Sequence, residues 1–295
     1  MKQLLLLFVR MSRPSQLLAV ILVYAWGALV AAVLLNGLNF ATFLMGLAPL
    51  LLVSASIHYA NEYADHETDA LTDRTPFSGG SGALADYGAQ PVLALRAAWV
   101  TLSLGLVLTA ALILLDVLPL LSLPLLLLGA AGGWMYSLRP LALAWRGWGE
   151  LDNALLGGVL LPAYGFAVQS GVLDQRIILL SLPFGLLVFV NLLATTWADG
   201  RADRQVGKFT LATRWPVLRL RLLYILVVLL AFALLLSYLD WLLPAPLVWA
   251  NLLILPLALA AGWTYTRWRS PFPSVLVMVL FVSLQVAGWL ALLLS

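Results

Sequence analysis

Cysteine is absent from the 295 residues of this chain, histidine occurs only twice, and Asp, Glu, Lys and Arg together fill 10% of positions. The missing cysteines exclude disulfides, thiolate metal sites and cysteine nucleophiles. The scarcity of charge accompanies a composition that is 63% hydrophobic. The apolar residues are gathered in repeated runs of about 20, the length that matches a bilayer hydrocarbon core. Strand alternation is missing from these runs, and backbone groups in lipid must be paired internally, so helices are the remaining solution. The chain is therefore expected to be all-α, a polytopic transmembrane helical bundle, with residues 1–295 forming one integral membrane domain in the lipid bilayer. In the opening "MKQLLLLFVRMSRP", Arg10 and Arg13 interrupt the apolar run before any cleavage site, so it predicts an interfacial lead-in helix rather than a signal peptide.

Hydropathy places about nine spans, near 17 to 35, 41 to 62, 91 to 115, 118 to 137, 150 to 170, 176 to 198, 216 to 239, 243 to 265 and 273 to 294. Turn formers separate them, among them "NGLN" at 36, "SLRP" at 137, "DWLLP" at 240 and "SPFP" at 270. With nine spans, the N-terminus shares a side with the connections after spans two, four, six and eight. That side collects fifteen of the sixteen Lys and Arg residues and leaves Arg176 opposite. A bias this complete predicts that the side is cytoplasmic and that the membrane is the cell membrane. Ten of the thirteen acids lie there too, all except Asp116, Asp174 and Asp240. Acids contribute little to orientation, so their gathering needs a chemical reason.

Two stretches hold most of them. "NEYADHETDALTDRTPFSGG" spans residues 61 to 80, and "TTWADGRADRQVGKFTLATRWP" begins at Thr195. Asp65 and Asp69 are four residues apart, as are Asp199 and Asp203, and each pair ends an even-numbered span. The 134-residue offset between the pairs predicts a parallel internal duplication of spans 1–4 and 5–8. On a helix, residues four apart share a face, so Asn61, Asp65 and Asp69 make one ridge of oxygens and Asp199 with Asp203 another. Like charges at that spacing repel unless a cation lies between them. Oxygen ligands without cysteine or a histidine pair suit a hard ion such as Mg²⁺, which combines one or two carboxylates with waters and substrate phosphates. Arg74, Arg204 and Lys208 beside the ridges complete a set suited to a diphosphate. A diphosphate held at the mouth of a membrane bundle implies a lipid tail.

"NEYADHETD" and "DGRAD" resemble the first N-x-x-x-D-x-x-x-D and second D-x-x-x-D motifs of the UbiA superfamily of intramembrane aromatic prenyltransferases. The resemblance extends to "RP" at 13, "YSLRP" at 136 and the number of spans. It implies an Mg²⁺-dependent enzyme that moves a prenyl chain from a polyprenyl diphosphate to a hydroxylated aromatic acceptor. It further implies Asn61, Asp65, Asp69, Asp199 and Asp203 as metal and diphosphate ligands, the four aspartates as the catalytic set, and Arg74, Tyr136, Arg139 and Lys208 as diphosphate contacts. "GWGELDN" at 147 and "GKFTLA" at 207 look most like the menaquinone-pathway enzymes, which implies dihydroxynaphthoate as the acceptor. The compact first motif also resembles the hydroxybenzoate and chlorophyll branches, which keeps 4-hydroxybenzoate, homogentisate and chlorophyllide as alternatives.

Other conspicuous residues have plainer readings. Glu62 and Glu67 are expected off the ridge and solvated, His58 to be a packing histidine, His66 a loop residue, and "FSGGSG" at 77 a flexible linker. Arg214, Arg219 and Arg221 are expected to anchor the membrane surface, as are most of the twelve Trp residues. No nucleic-acid partner is expected. A cation-coupled transporter is the competing reading, but it should carry acids inside its spans, whereas here they gather at span ends on one side.

Overall fold

The computed structural model describes residues 2–295, and among them the chain is entirely helical apart from its connections. Thirteen helices follow one another: α1 (Lys2–Met11), α2 (Pro14–Leu34), α3 (Phe40–Ala64), α4 (His66–Leu71), α5 (Ala83–Asp86), α6 (Pro91–Leu114), α7 (Ser122–Ser137), α8 (Gly149–Ser170), α9 (Gln175–Val206), α10 (Leu211–Arg214), α11 (Val217–Ser237), α12 (Ala245–Thr264) and α13 (Phe272–Leu294).

Eight of them, α2, α3, α6, α8, α9, α11, α12 and α13, are long and apolar enough to cross a membrane, so the protein is multi-pass. The remaining expected span, 118 to 137, is α7, whose 16 residues make about 24 Å of helix at ~1.5 Å per residue. It begins four residues later than expected because Asp116 turns the chain at φ 55° and Leu118 to Leu121 form a turn before Ser122. Even so, α7 traverses the bundle. Asp116, Leu118 and Pro119 before it lie beside Thr42 and Val168, while Tyr136 near its end lies against Gly149 at the opposite end.

Prolines mark the start of several of these helices, where a missing N–H costs nothing and the fixed φ suits a first turn. Pro14 opens α2, Pro91 opens α6, and Pro244 stands immediately before α12. Burial then sorts the faces. One apolar cluster joins α2, α8, α9, α11, α12 and α13 around Trp26, Phe184, Tyr224 and Phe281, and a second joins α2, α3, α6, α7 and α8 around Tyr24, Leu50 and Tyr164. Several buried polar atoms pair between helices, as where Trp134 Nε1 donates to Ser56 Oγ at 3.1 Å and Tyr164 Oη to the Gly46 carbonyl at 3.0 Å. Small residues let backbones approach: Gly158, in the π-helical turn Leu156–Leu160 of α8, meets Gly185 of α9.

At one end of the bundle stand Arg10, Arg13, Arg74, Lys208 and Arg269, together with every acid of the two motifs. Arg176, paired with Asp174 at 2.6 Å, marks the other end at the start of α9.

Candidate functional site

The two acidic stretches meet at the charged end. Asn61 lies in the last turn of α3. Asp65 is the hinge between α3 and α4 (φ −99°, ψ 7°), and Asp69 lies in α4. The ridge is thus bent at Asp65 rather than carried on one straight helix, although the backbone bonds Asp65 N to Asn61 O and Asp69 N to Asp65 O, both 2.8 Å, keep the four-residue spacing. Asp199 and Asp203 stay on α9, which continues unbroken to Val206.

Lys208 joins the ridges. At the end of α9, Gly207 adopts φ 76°, a left-handed conformation that an L side chain resists, and its N–H returns to the Arg204 carbonyl while the Lys208 N–H reaches the Asp203 carbonyl at 2.8 Å. This closing turn folds Lys208 back over the helix it follows. Its Nζ lies 3.3 Å from Asp65 Oδ1 and 3.8 Å from Asp203 Oδ1, with the side chain only 12% exposed. Burial acts to lower the Lys208 pKa, but Asp65 and Asp203 outweigh it and hold the ammonium above its ordinary value. The opposite imbalance acts on Asp69, where burial first and the Asp65 charge second push the carboxyl up to about 7. Trp145 presents its ring 5.8 Å from Lys208 Nζ, and Tyr136 lies within electrostatic range of Lys208, Asp65 and Asp203.

Three buried oxygens at this meeting point lack a hydrogen-bond donor: Asn61 Oδ1, Asp199 Oδ1 and Asp203 Oδ1. Orphaned oxygens on two facing ridges are the donor set a hard cation needs. Among the described residues, no three His, Cys, Asp or Glu side chains converge on one point. The protein therefore offers a partial shell, which fits Mg²⁺ because that ion keeps waters and takes phosphate oxygens for its remaining positions.

The segment between α4 and α5, expected to be a flexible linker, is instead folded across the acids. Ser78 and Gly79 are buried and face Asp199, Thr75 Oγ1 and Ser78 Oγ are 2.8 Å apart, and Phe77 packs on Phe272 with ring centroids 5.7 Å apart. Gly80, at φ 66°, passes so close to Asp69 that a Cβ there would overlap Oδ2. Glycine composition signals freedom in an isolated chain; here the acids and α13 remove it.

Glu62 also departs from expectation. It is 2% exposed rather than solvated, because Arg13 and Ser81 take both of its oxygens. Glu67 does face solvent, with its side chain 80% exposed. His58 is held by the Ser12 carbonyl at 2.6 Å and His66, in α4, by that of Tyr63 at 2.8 Å. Arg74 turns toward Asp86, 3.8 Å away, and lies against Gly82. Arg139 is exposed and makes no side-chain hydrogen bond or ion pair among the described residues. The structure thus gathers Asn61, Asp65, Asp69, Tyr136, Asp199, Asp203 and Lys208, and leaves Arg74 at the edge and Arg139 outside. Sequence reasoning overlooked Glu150, 1% exposed at the entrance of α8 and bonded by Thr196 Oγ1 at 3.2 Å. An acid at the first position of an expected apolar span was the available signal.

Comparison with known proteins gives four findings. The profile of the UbiA prenyltransferase family matches residues 19–284. The 1,4-dihydroxy-2-naphthoate octaprenyltransferase of Bacillus subtilis (strain 168) is 26% identical over 211 residues, 69% of this chain; the match spans 64% of that curated relative's length. A UbiA homolog from Archaeoglobus fulgidus bound to GPP and Mg²⁺ superposes with a TM-score of 0.72 at 20% identity over 98% of this chain and 100% of that one. The apo UbiA homolog from Aeropyrum pernix K1 gives 0.71 at 17% identity over 92% and 97%. Both structural likenesses establish the shared fold.

Proposed function

The chain belongs to the UbiA prenyltransferase family, and from that premise we propose that it transfers a prenyl chain from a polyprenyl diphosphate to a hydroxylated aromatic ring, with Mg²⁺ and with dihydroxynaphthoate as acceptor. The observation that carries this reading is Lys208, a buried cation suspended between two acidic ridges on which three buried oxygens, of Asn61, Asp199 and Asp203, lack a hydrogen-bond donor. The B. subtilis relative and the archaeal homolog bound to GPP and Mg²⁺ support the acceptor and the donor respectively.

Asn61, Asp65, Asp69, Asp199 and Asp203 would share bridging Mg²⁺ ions between the two ridges, with no more than two carboxylates on any one ion. Bound there, Mg²⁺ would neutralise diphosphate oxygens and favour their departure. Lys208 donates to the same departing group from a dry position, where a fixed charge stabilises developing negative charge far better than it would in water. Cleavage of the carbon–oxygen bond leaves an allylic cation, and the aromatic faces of Trp145 and Tyr136 beside Lys208 can stabilise it. The acceptor ring attacks that carbon and then loses its proton, so no residue serves as a covalent nucleophile. We place the site at the cytoplasmic side of the cell membrane; support comes from the cations clustered at the acid-bearing end, with Arg176 opposite.

A screen tests the acceptor. Dihydroxynaphthoate, 4-hydroxybenzoate, homogentisate and a chlorophyllide are offered separately with one polyprenyl diphosphate and Mg²⁺, and prenylated product is followed by mass spectrometry. Product from the naphthoate is expected. Product only from another acceptor overturns the branch, and neither product nor released diphosphate from any of them overturns the enzyme.

Asp69 adds a pH dependence. Its carboxyl titrates at about 7, above the ordinary value, so its ionised form is disfavoured in the metal-free protein. The stability it contributes is full below the unfolded-state pKa and is lost as pH rises through about 7. Mg²⁺ needs the anion, so its affinity rises with pH through that point, and Asp69 by itself contributes about one released proton at pH 6 and almost none at pH 8. Calorimetry in two buffers of unequal ionisation enthalpy reads the proton directly; equal heats at pH 6 would contradict the assignment.

A further inference from the structure

Glu62 accepts from Arg13 Nε at 2.9 Å and from Arg13 Nη2 at 2.5 Å, and from the Ser81 N–H at 2.9 Å and Ser81 Oγ at 2.6 Å. Three separate stretches are tied by this one carboxylate. Arg13 is the residue that enters α2, held at a left-handed φ of 52° immediately before Pro14, a conformation that a residue preceding proline avoids. Glu62 lies on α3 beside Asn61, and Ser81 belongs to the segment folded over Asp69 and Asp199. Arg10 Nη2 adds a 3.3 Å bond to the Ser81 carbonyl.

The other half of the chain contains the same knot with its polarity exchanged. The residue 134 positions after Glu62, the offset that relates Asp65 to Asp199, is Thr196. Its hydroxyl donates to Glu150, which enters α8 as Arg13 enters α2, and the backbone amide of Leu211, in the segment following α9, faces the same carboxylate. The Phe209 N–H bonds the Trp145 carbonyl at 3.1 Å, fastening the segment that follows α9 to the one that precedes α8, as Arg10 fastens Ser81. Neither Glu62 nor Glu150 is among the oxygens left open at the meeting of the ridges.

We infer that Glu62 and Glu150 are positioning residues at the centres of two equivalent ties, each fastening one acidic ridge to the entrance of the preceding span and to the segment that closes over the diphosphate. The equivalence extends the internal duplication from the acids to the struts that hold them. The first tie fixes Ser78, Gly79 and Gly80 against Asp199 and Asp69; the second fixes Lys208 between Asp65 and Asp203. The inference rests on the proposed diphosphate site for its kinetic consequence and on geometry alone for its structural one.

Both consequences are measurable on the full-length protein with Mg²⁺. Ala83 and Ala212, each 0% exposed, sit just beyond the two ties, and the absence of other cysteines makes Ala83→Cys and Ala212→Cys clean reporters of maleimide labelling. Glu62→Gln is expected to speed labelling at 83 and leave 212 unchanged, and Glu150→Gln the reverse. Each should raise the KM for the polyprenyl diphosphate about 10- to 100-fold, the usual range for residues that orient metal ligands, with a smaller change in kcat. Ser81→Ala removes the hydroxyl that donates to Glu62 and accepts from the Ala83 N–H, Thr196→Val removes the one that donates to Glu150, and neither leaves a buried charge alone; they should give the same crossed pattern in smaller size and decide the matter if a Gln variant fails to fold. Faster labelling at both sites in either variant, or at neither, overturns the inference. Crossed labelling in a protein that releases no diphosphate would retain the ties and reject the proposed enzyme, so the two failures are distinct.

Discussion

Asp203→Asn is expected to lower prenyl transfer by on the order of 10²–10³-fold or more while the bundle stays folded, the loss seen when one fixed group is removed from a charge-stabilising site. Asp203 is 1% exposed, with Oδ1 unpaired and Lys208 3.8 Å away, so the substitution removes a charged ligand at nearly constant shape. Asp65→Asn, Asp69→Asn and Asp199→Asn should behave alike, because each leaves the partial shell one anionic oxygen short. EDTA should abolish transfer by the parent and Mg²⁺ should restore it. Glu67→Gln is the control: its side chain is 80% exposed and away from the ridge, so turnover should not change. Initial rates with saturating acceptor, beside thermal melting to show that each variant folds, make the measurement. Parent-like rates in the Asn variants would reduce the acids to solvated connectors.

Lys208→Met should separate the two ligands of the site. Losing a charge-assisted contact in a buried position costs about 2–3 kcal/mol, which is about 30- to 150-fold in the KM for the diphosphate donor. The KM for the aromatic acceptor should move far less. Without the ammonium, Asp65 and Asp203 face each other uncompensated, so Mg²⁺ in the absence of donor should bind more tightly than in the parent and raise the melting temperature further. An unchanged donor KM would show that Lys208 serves only to balance the ridges.

Much of this arrangement is local and was therefore readable from the chain. Span positions follow from apolar length, and the residues 41 to 62 and 273 to 294 expected as spans are closely matched by Phe40–Ala64 and Phe272–Leu294. The four-residue spacing of the acids is likewise a property of neighbours. The ties were not readable in that way, since Glu62 meets a residue 49 positions away and Glu150 one 46 positions away. Nothing in "NEYADHETD" distinguishes a carboxylate that will be buried by a distant arginine from one that will face water, and Glu62 and Glu67 went opposite ways. The bend at Asp65 was invisible for a related reason: helical spacing survives a hinge. Arg139 shows the converse: it stands three residues from Tyr136 in sequence, yet it is exposed and makes no ion pair with the acids among the described residues.

Helix α9 is 32 residues long, about 48 Å at ~1.5 Å per residue, against a hydrocarbon thickness of about 30 Å. Even at the steepest ordinary tilt, about 40°, it overshoots the core. Asp199 and Asp203 lie within its final eight residues, so an overshoot at that end would carry them to headgroup depth while the same helix lines the apolar interior. A polyprenyl diphosphate captured there, as proposed, would keep its anionic head among lipid headgroups and its tail among acyl chains from arrival to departure. On the proposed function, catalysis would then be a two-dimensional affair: the mole fraction of donor in the leaflet, rather than its bulk molarity, would fill the site, and diluting the membrane with inert lipid should slow the reaction even when nothing in the water has changed.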